Sequence, residues 1–142
     1  MSYMNLFNVS GIITAFSPYL TSYLKKEGMK PNDFRAVGVG YVEPLTDVLS
    51  FFLDGGLTIL GPRDKRAPDF VKFEDINPLE KDLKGIDALI LIDQQVPGII
   101  ERVSKAGVQI IISAPCLKNS KPYILEERIC LRKKDLCFYR KG

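Results

Sequence analysis

The sequence contains no histidine. Ser-His-Asp and Cys-His nucleophile pairs are therefore excluded, as is every histidine-ligated metal. Asp, Glu, Lys, Tyr and Cys remain as the groups able to carry chemistry. Cysteine is sparse too. Cys116, Cys130 and Cys137 are odd in number and form no CxxC, which fits neither a secreted disulfide scaffold nor a zinc ribbon. The expectation is free thiols in a reducing, cytoplasmic setting. Glutamine and asparagine are scarce while proline is frequent, a bias shared with many heat-stable proteins.

Charge is missing from residues 1–24, and Lys25 and Lys26 follow. A membrane span or signal segment needs a longer apolar run or a basic start. This stretch instead holds Asn5, Asn8, Ser10, Gly11, Ser17, Pro18, Thr21 and Ser22. It reads as a helix packed on a sheet, with no membrane partner.

The chain that remains has 142 residues, 46% of them hydrophobic and 26% charged, which suits one globular domain. The net charge of +3 is unevenly placed. Residues 117–142 hold eight Lys or Arg against three acids, and residues 1–116 hold twelve against fourteen. The basic character thus belongs to the tail.

Proline suits the first turn of a helix and glycine the residue after its end. The pair brackets four segments: Ser17-Pro18 to Gly28, Glu43-Pro44 to Gly55, Asn77-Pro78 to Gly85, and Val96-Pro97 to Gly107. Each predicts a helix. Between them lie apolar runs at 35–41, 57–60, 87–93 and 108–113, with a further short strand at 70–73. Continuous apolarity marks strands buried on both faces, and strands alternating with helices predict βαβ units. The expected fold is a Rossmann-like layered α/β domain over 1–142. It comprises a helical segment (1–34), a βα core (35–116) with a mainly parallel sheet of about four strands, and a basic antiparallel β-hairpin (117–142). Centred on Lys133-Lys134, the hairpin pairs Ile129 with Phe138, Leu131 with Leu136, Arg132 with Asp135 and Cys130 with Cys137. Lys-Lys is poor chemistry for a two-residue turn, which favours a longer connection.

In such sheets ligands bind beyond the carboxyl ends of the strands. The candidate pocket is accordingly lined by Tyr41, Glu43, Arg63, Asp93, Gln94 and Cys116. Gly38-Val-Gly40 begins like a dinucleotide fingerprint, but Glu43 stands at the third glycine position and no acid ends the second strand. Tight packing of those glycines is the plainer reading. Arg63, with Lys65 and Arg66, can clamp phosphate or carboxylate, or form a solvated loop. Asp93 can serve as general base, metal ligand or acceptor for a sugar hydroxyl, or it can cap the following turn. Cys116 is a reactive thiol or an inert buried one. In the tail, Arg132, Lys133, Lys134 and Arg140 among aromatic residues can meet nucleic acid, or protect an edge strand from aggregation.

Ala36-Val-Gly-Val-Gly-Tyr-Val-Glu-Pro-Leu45 and Ile86-Asp-Ala-Leu-Ile-Leu-Ile-Asp93 give residues 35 to about 116 a resemblance to the Rossmann-like domain of the heavy-metal chelation family, a group of uncharacterised proteins. Where that family has a Thr- and Gly-containing turn and then a Gly-Pro, this chain has Asp93-Gln94-Gln95 and Ser113-Ala114-Pro115. The resemblance implies the fold. The function expected is binding of a small anionic metabolite, nucleotide or metal. The alternatives are an enzyme working with Asp, Glu or Lys at the same edge, or a nucleic-acid or assembly factor using the hairpin. The residues single out no particular cofactor, and self-association is compatible with them.

Overall fold

A computed structural model describes residues 17–43, 45–130 and 135–142. Five parallel strands form its centre: β1 (Ala36–Val39), β2 (Leu57–Leu60), β3 (Lys72–Glu74), β4 (Ala88–Ile92) and β5 (Ile110–Ala114). Two antiparallel strands, β6 (Tyr123–Cys130) and β7 (Asp135–Lys141), complete a seven-stranded sheet in the order β3-β2-β1-β4-β5-β7-β6. The hairpin therefore extends the parallel sheet, with β7 inserted between β5 and β6. The short strand expected at 70–73 falls at residues 72–74 and pairs with β2, adding a fifth parallel strand to the expected four.

Every residue of β1, β4 and β5 is buried, as their unbroken apolar runs require when both sheet faces are covered. Alternate side chains supply two cores. Ile90, Ile92 and Ile112 pack with Leu20, Tyr23 and Leu24 of a helix through residues 17–27 (α1) and with Leu45 and Leu49 of α2 (Leu45–Phe52). Leu89, Leu91 and Ile111 meet Ile99 and Val103 of α3 (Ile99–Lys105) on the opposite face. No helix among the described residues is long and apolar enough to cross a membrane.

Three of the four brackets hold helices. Past α3, Gly107 adopts φ 84°, and the amides of Gly107 and Val108 donate to the carbonyls of Ser104 and Val103. That closure favours glycine, since a left-handed residue there carries no Cβ penalty. Pro44 lies outside the described residues, and α2 opens with Thr46 Oγ1 accepting the Val42 amide at 2.9 Å. The bracket from Asn77-Pro78 to Gly85 is a correction, being a run of turns and no helix. Asn77 Oδ1 accepts the Leu79 amide and Asp82 Oδ1 the Lys84 amide. In so short a segment such side chains outcompete the helical ladder for backbone donors.

The hairpin register also differs from expectation. Ile129 pairs with Leu136, Arg128 with Cys137 and Cys130 with Asp135, and a bulge follows between Leu125 and Glu127. Cys130 therefore does not face Cys137, and Ile129 does not face Phe138. From Glu127 to Cys130 the pairing has slipped by two residues, which leaves those side chains on their expected face, whereas a slip of one would invert them. Beyond the bulge the slip is three, and Tyr123, Ile124 and Leu125 change face. The slip leaves four residues, 131–134, between the strands, and these lie outside the described residues.

Candidate functional site

The strand order reverses direction between β1 and β4, so their carboxyl ends open the crevice where α/β folds bind ligands. Gly40 ends β1 with φ 92°. A Cβ there would lie 2.3 Å from the Ile92 carbonyl oxygen and 2.7 Å from Gln94 Cγ. Only glycine permits this approach of the two strands. Across from it, Asp93 ends β4 with φ 54°, while its amide still donates to the Ala114 carbonyl at 2.8 Å. A non-glycine residue in the left-handed region is uncommon, and such residues concentrate at functional sites.

Asparagine tolerates this backbone conformation and valine does not. Asp93→Val is therefore expected to be less stable than Asp93→Asn by about 1–2 kcal/mol in urea unfolding. Equal midpoints would show that the conformation is not held in solution.

Beyond Asp93 the chain turns into α3, and a pocket of about 560 Å³ lies between the ends of β4 and β5 and that helix. Its walls include Leu91, Val96, Ile99, Ile100 and Leu117, and its polar groups are Asp93, Gln94, Gln95, Ser113 and Lys118. Ser113 Oγ donates to the Pro115 carbonyl at 2.6 Å, within the loop after β5 that lines the pocket. Cys116 stands in the same wall, but it is bonded to Cys137 with a Cα–Cα separation of 5.3 Å. This corrects the expectation of free thiols throughout. The pairing is across the β5 and β7 side of the sheet, a proximity that linear spacing does not reveal. Cys130 alone is free, and it is exposed.

Tyr41, Glu43 and Arg63 lie on the β1 and β2 side of Gly40, away from that pocket. Tyr41 donates its hydroxyl to Asp47 Oδ1 at 2.7 Å. Burial, reinforced by that bond, pushes the phenol well above its ordinary value, so it acts as a donor and not as a base. Burial also raises Asp47, with the Tyr41 bond working against it and the Glu43 charge adding to it. Arg66 covers the Tyr41 ring, 5.6 Å from its centroid, and bonds Asp64. Those hydrogen bonds hold the Asp64 carboxyl down at about 2.

Arg63 donates to the carbonyls of Val71 and Pro68, both at 2.8 Å, and to that of Ala67 at 3.4 Å, with Phe73 beneath it. Its guanidinium ties the loop after β2 together and presents no open fork to an anion. The expected site thus divides: Asp93, Gln94 and Cys116 share one pocket, and Tyr41, Glu43 and Arg63 form a separate polar group. Ile100 and Leu117 are among the lining residues that sequence reasoning passed over. The Val96-Pro97 bracket was the signal for Ile100, because a helix that starts just after β4 must begin above the carboxyl edge.

In the tail, Arg140 bonds Glu27 Oε1 at 3.4 Å, lies 4.0 Å from Glu126 and stacks over Tyr23. Arg128 is paired with Asp135. The basic groups seen on the hairpin are therefore largely neutralised within the chain. Arg132, Lys133 and Lys134 lie outside the described residues. Among the described residues, no group of three or more Cys, Asp or Glu is placed to hold a metal ion.

No family model and no curated protein sequence matches the chain. Solved structures do. A mutant of MtNAS in complex with S-adenosylmethionine is similar with a TM-score of 0.55 at 12% identity, over 97% of this chain and 72% of that one. Protein 1320 of Thermoplasma acidophilum gives 0.54 at 14%, over 87% and 84%. An RNA methyltransferase from Salinibacter ruber in complex with S-adenosyl-L-homocysteine gives 0.51 at 10%, over 88% and 91%. The fold is thus Rossmann-like, in agreement with the α/β class read from sequence.

Proposed function

We propose that the chain binds a small nucleoside-bearing ligand of the S-adenosylmethionine type at the carboxyl edge of β4. The observation that carries this reading is the pocket of about 560 Å³ beside the strand reversal, within the usual range of roughly 300–1,000 Å³ for small-molecule sites. Its chemistry fits such a ligand. Apolar walls at Val96, Ile99 and Ile100 suit a flat heterocycle. The Asp93 carboxylate suits ribose hydroxyls or a sulfonium cation, and Gln94 and Gln95 supply amides of both polarities. The turn after β2 is Gly61-Pro62, so no acid at that strand end takes the ribose, and Asp93 is the nearest carboxylate to the pocket's polar mouth. Two of the similar structures are complexes with S-adenosylmethionine and S-adenosyl-L-homocysteine, which names the ligands to try first. The ligand would supply an activated methyl group, while this chain would bind, orient and exclude water.

Saturating S-adenosyl-L-homocysteine is expected to raise the melting temperature, because a ligand that prefers the native state stabilises it. Ile100→Trp, which fills the pocket, should abolish the shift. If S-adenosyl-L-homocysteine, S-adenosylmethionine and adenosine all leave the melting temperature unchanged at millimolar concentration, or if Ile100→Trp binds as well as the parent, the reading is wrong.

A further inference from the structure

The three cysteines meet around one position of the sheet. Cys137 on β7 is fully buried and lies opposite Ser113 of β5 on one side and Arg128 of β6 on the other. From the β5 side comes Cys116, three residues past Ser113 and bonded to Cys137. From the β6 side comes Cys130, which pairs with Asp135 and is exposed. Side chains alternate along a strand, so Arg128, Cys130, Asp135 and Cys137 project from the same face. The Arg128–Asp135 ion pair spans one diagonal of that quartet, and Cys130 and Cys137 form the other. Diagonal partners stand roughly 7–8 Å apart, while disulfide-bonded residues reach a Cα separation of about 6.8 Å. About 1 Å of closure at the end of β6 thus brings the sulfurs together. β6 is an edge strand bonded to β7 alone, so the movement breaks no second ladder.

We propose that these residues form a thiol–disulfide relay in which Cys130 takes over the bridge to Cys137 and releases Cys116 as a thiolate in the pocket wall. Cys130 belongs to the strand on one side of Cys137 and Cys116 to the loop of the strand on the other, and displacement at sulfur needs attacker and leaving group on opposite flanks. The Cys130 thiolate forms the new S–S bond as the Cys116–Cys137 bond breaks. One disulfide and one thiol exist before and after. The proton lost from Cys130 goes to water, Cys116 regains one from water, and no oxidant or reductant is consumed. Its consequence rests on the reading of the pocket as a ligand site. There the exchange places a nucleophilic, oxidisable group beside Ser113 and Leu117 and releases the loop after β5, which lines the pocket, from its tie to β7.

The exchange is read without any ligand. The oxidised full-length protein is held at mildly alkaline pH, quenched in acid, alkylated and mapped by mass spectrometry. At the outset Cys130 should be alkylated and Cys116–Cys137 bridged. A Cys130–Cys137 bridge should then appear with alkylated Cys116, and Cys116 labelling should fall several-fold in Cys130→Ser, which retains the original bridge. Oxidised Cys116→Ser should carry the Cys130–Cys137 bridge directly. If only the Cys116–Cys137 bridge is ever found, if no bridge forms, or if Cys130→Ser leaves Cys116 labelling unchanged, the relay is refuted. Titrating Cys130→Ser with S-adenosyl-L-homocysteine tests the ligand reading separately, since this variant keeps every pocket residue.

Discussion

Alanine at Gly40 is expected to lower the melting temperature by roughly 6–15 °C, taking about 3 °C per kcal/mol for a chain of this size. Two costs combine. At φ 92° an L-residue bears a conformational penalty of about 1–2 kcal/mol. The new methyl carbon would also stand 2.3 Å from the Ile92 carbonyl oxygen. Backbone cannot step aside as a side chain can, so β1 and β4 must separate where they define the crevice, an overpacking cost of about 1–3 kcal/mol. Gly38 two residues earlier is the control. A Cβ there meets the flexible end of Ile59 at 2.9 Å, and Gly38→Ala should cost far less. Equal melting temperatures for the two variants would mean that the close approach at Gly40 does not exist.

Phe138→Ala should be the costliest single truncation, at about 3–5 kcal/mol. Phe138 is wholly buried, pairs with Ile112 across β5 and β7, and lies 4.6 Å ring to ring from Tyr19. Its removal leaves a cavity at the joint between the hairpin, the parallel strands and α1. Against a total stability of about 5–15 kcal/mol, the loss brings the protein near its unfolding threshold at room temperature. Phe51, 78% exposed, meets Phe70 edge to face at 6.1 Å. Phe51→Ala should cost no more than about 1 kcal/mol. Denaturant midpoints of both variants decide the matter, and a Phe138→Ala loss below about 1 kcal/mol would mean that the hairpin is not seated on the sheet.

The parallel core was legible because one physical requirement dominates it. Ala88–Ile92 and Ile110–Ala114 are buried on both faces, and such strands announce themselves by unbroken apolarity. Helices were legible where proline and glycine frame a long enough segment, as from Pro97 to Gly107. They failed from Pro78 to Gly85, where Asn77 and Asp82 supply competing local acceptors. The hairpin's faces were readable from Glu127 to Cys130 but its register was not, since a slip of two residues leaves the alternating pattern unchanged there, and the bulge after Leu125 adds one more residue of slip that no local pattern announces. At the candidate site, topology directed attention to the carboxyl edge, where Asp93, Gln94 and Cys116 line one pocket. Residue type alone misdirected attention at Arg63, because a guanidinium within an Arg- and Lys-rich loop looks available until three backbone carbonyls are found to occupy it. The Cys116–Cys137 proximity depends on β7 lying beside β5, a tertiary fact without a local signature.

The insertion of β7 between β5 and β6 constrains the order in which the sheet can assemble. β6 has no partner on the parallel sheet and cannot dock by itself when it emerges, although it precedes β7 in the chain. Until the hairpin closes and adds as a unit, β5 presents an open edge flanked by two apolar cores, a template for pairing with another chain. Growth temperature and expression rate should therefore govern yield through this interval, with aggregation arising from unpaired β5 and not from the completed sheet, whose outer strand carries Glu126, Glu127 and Arg128.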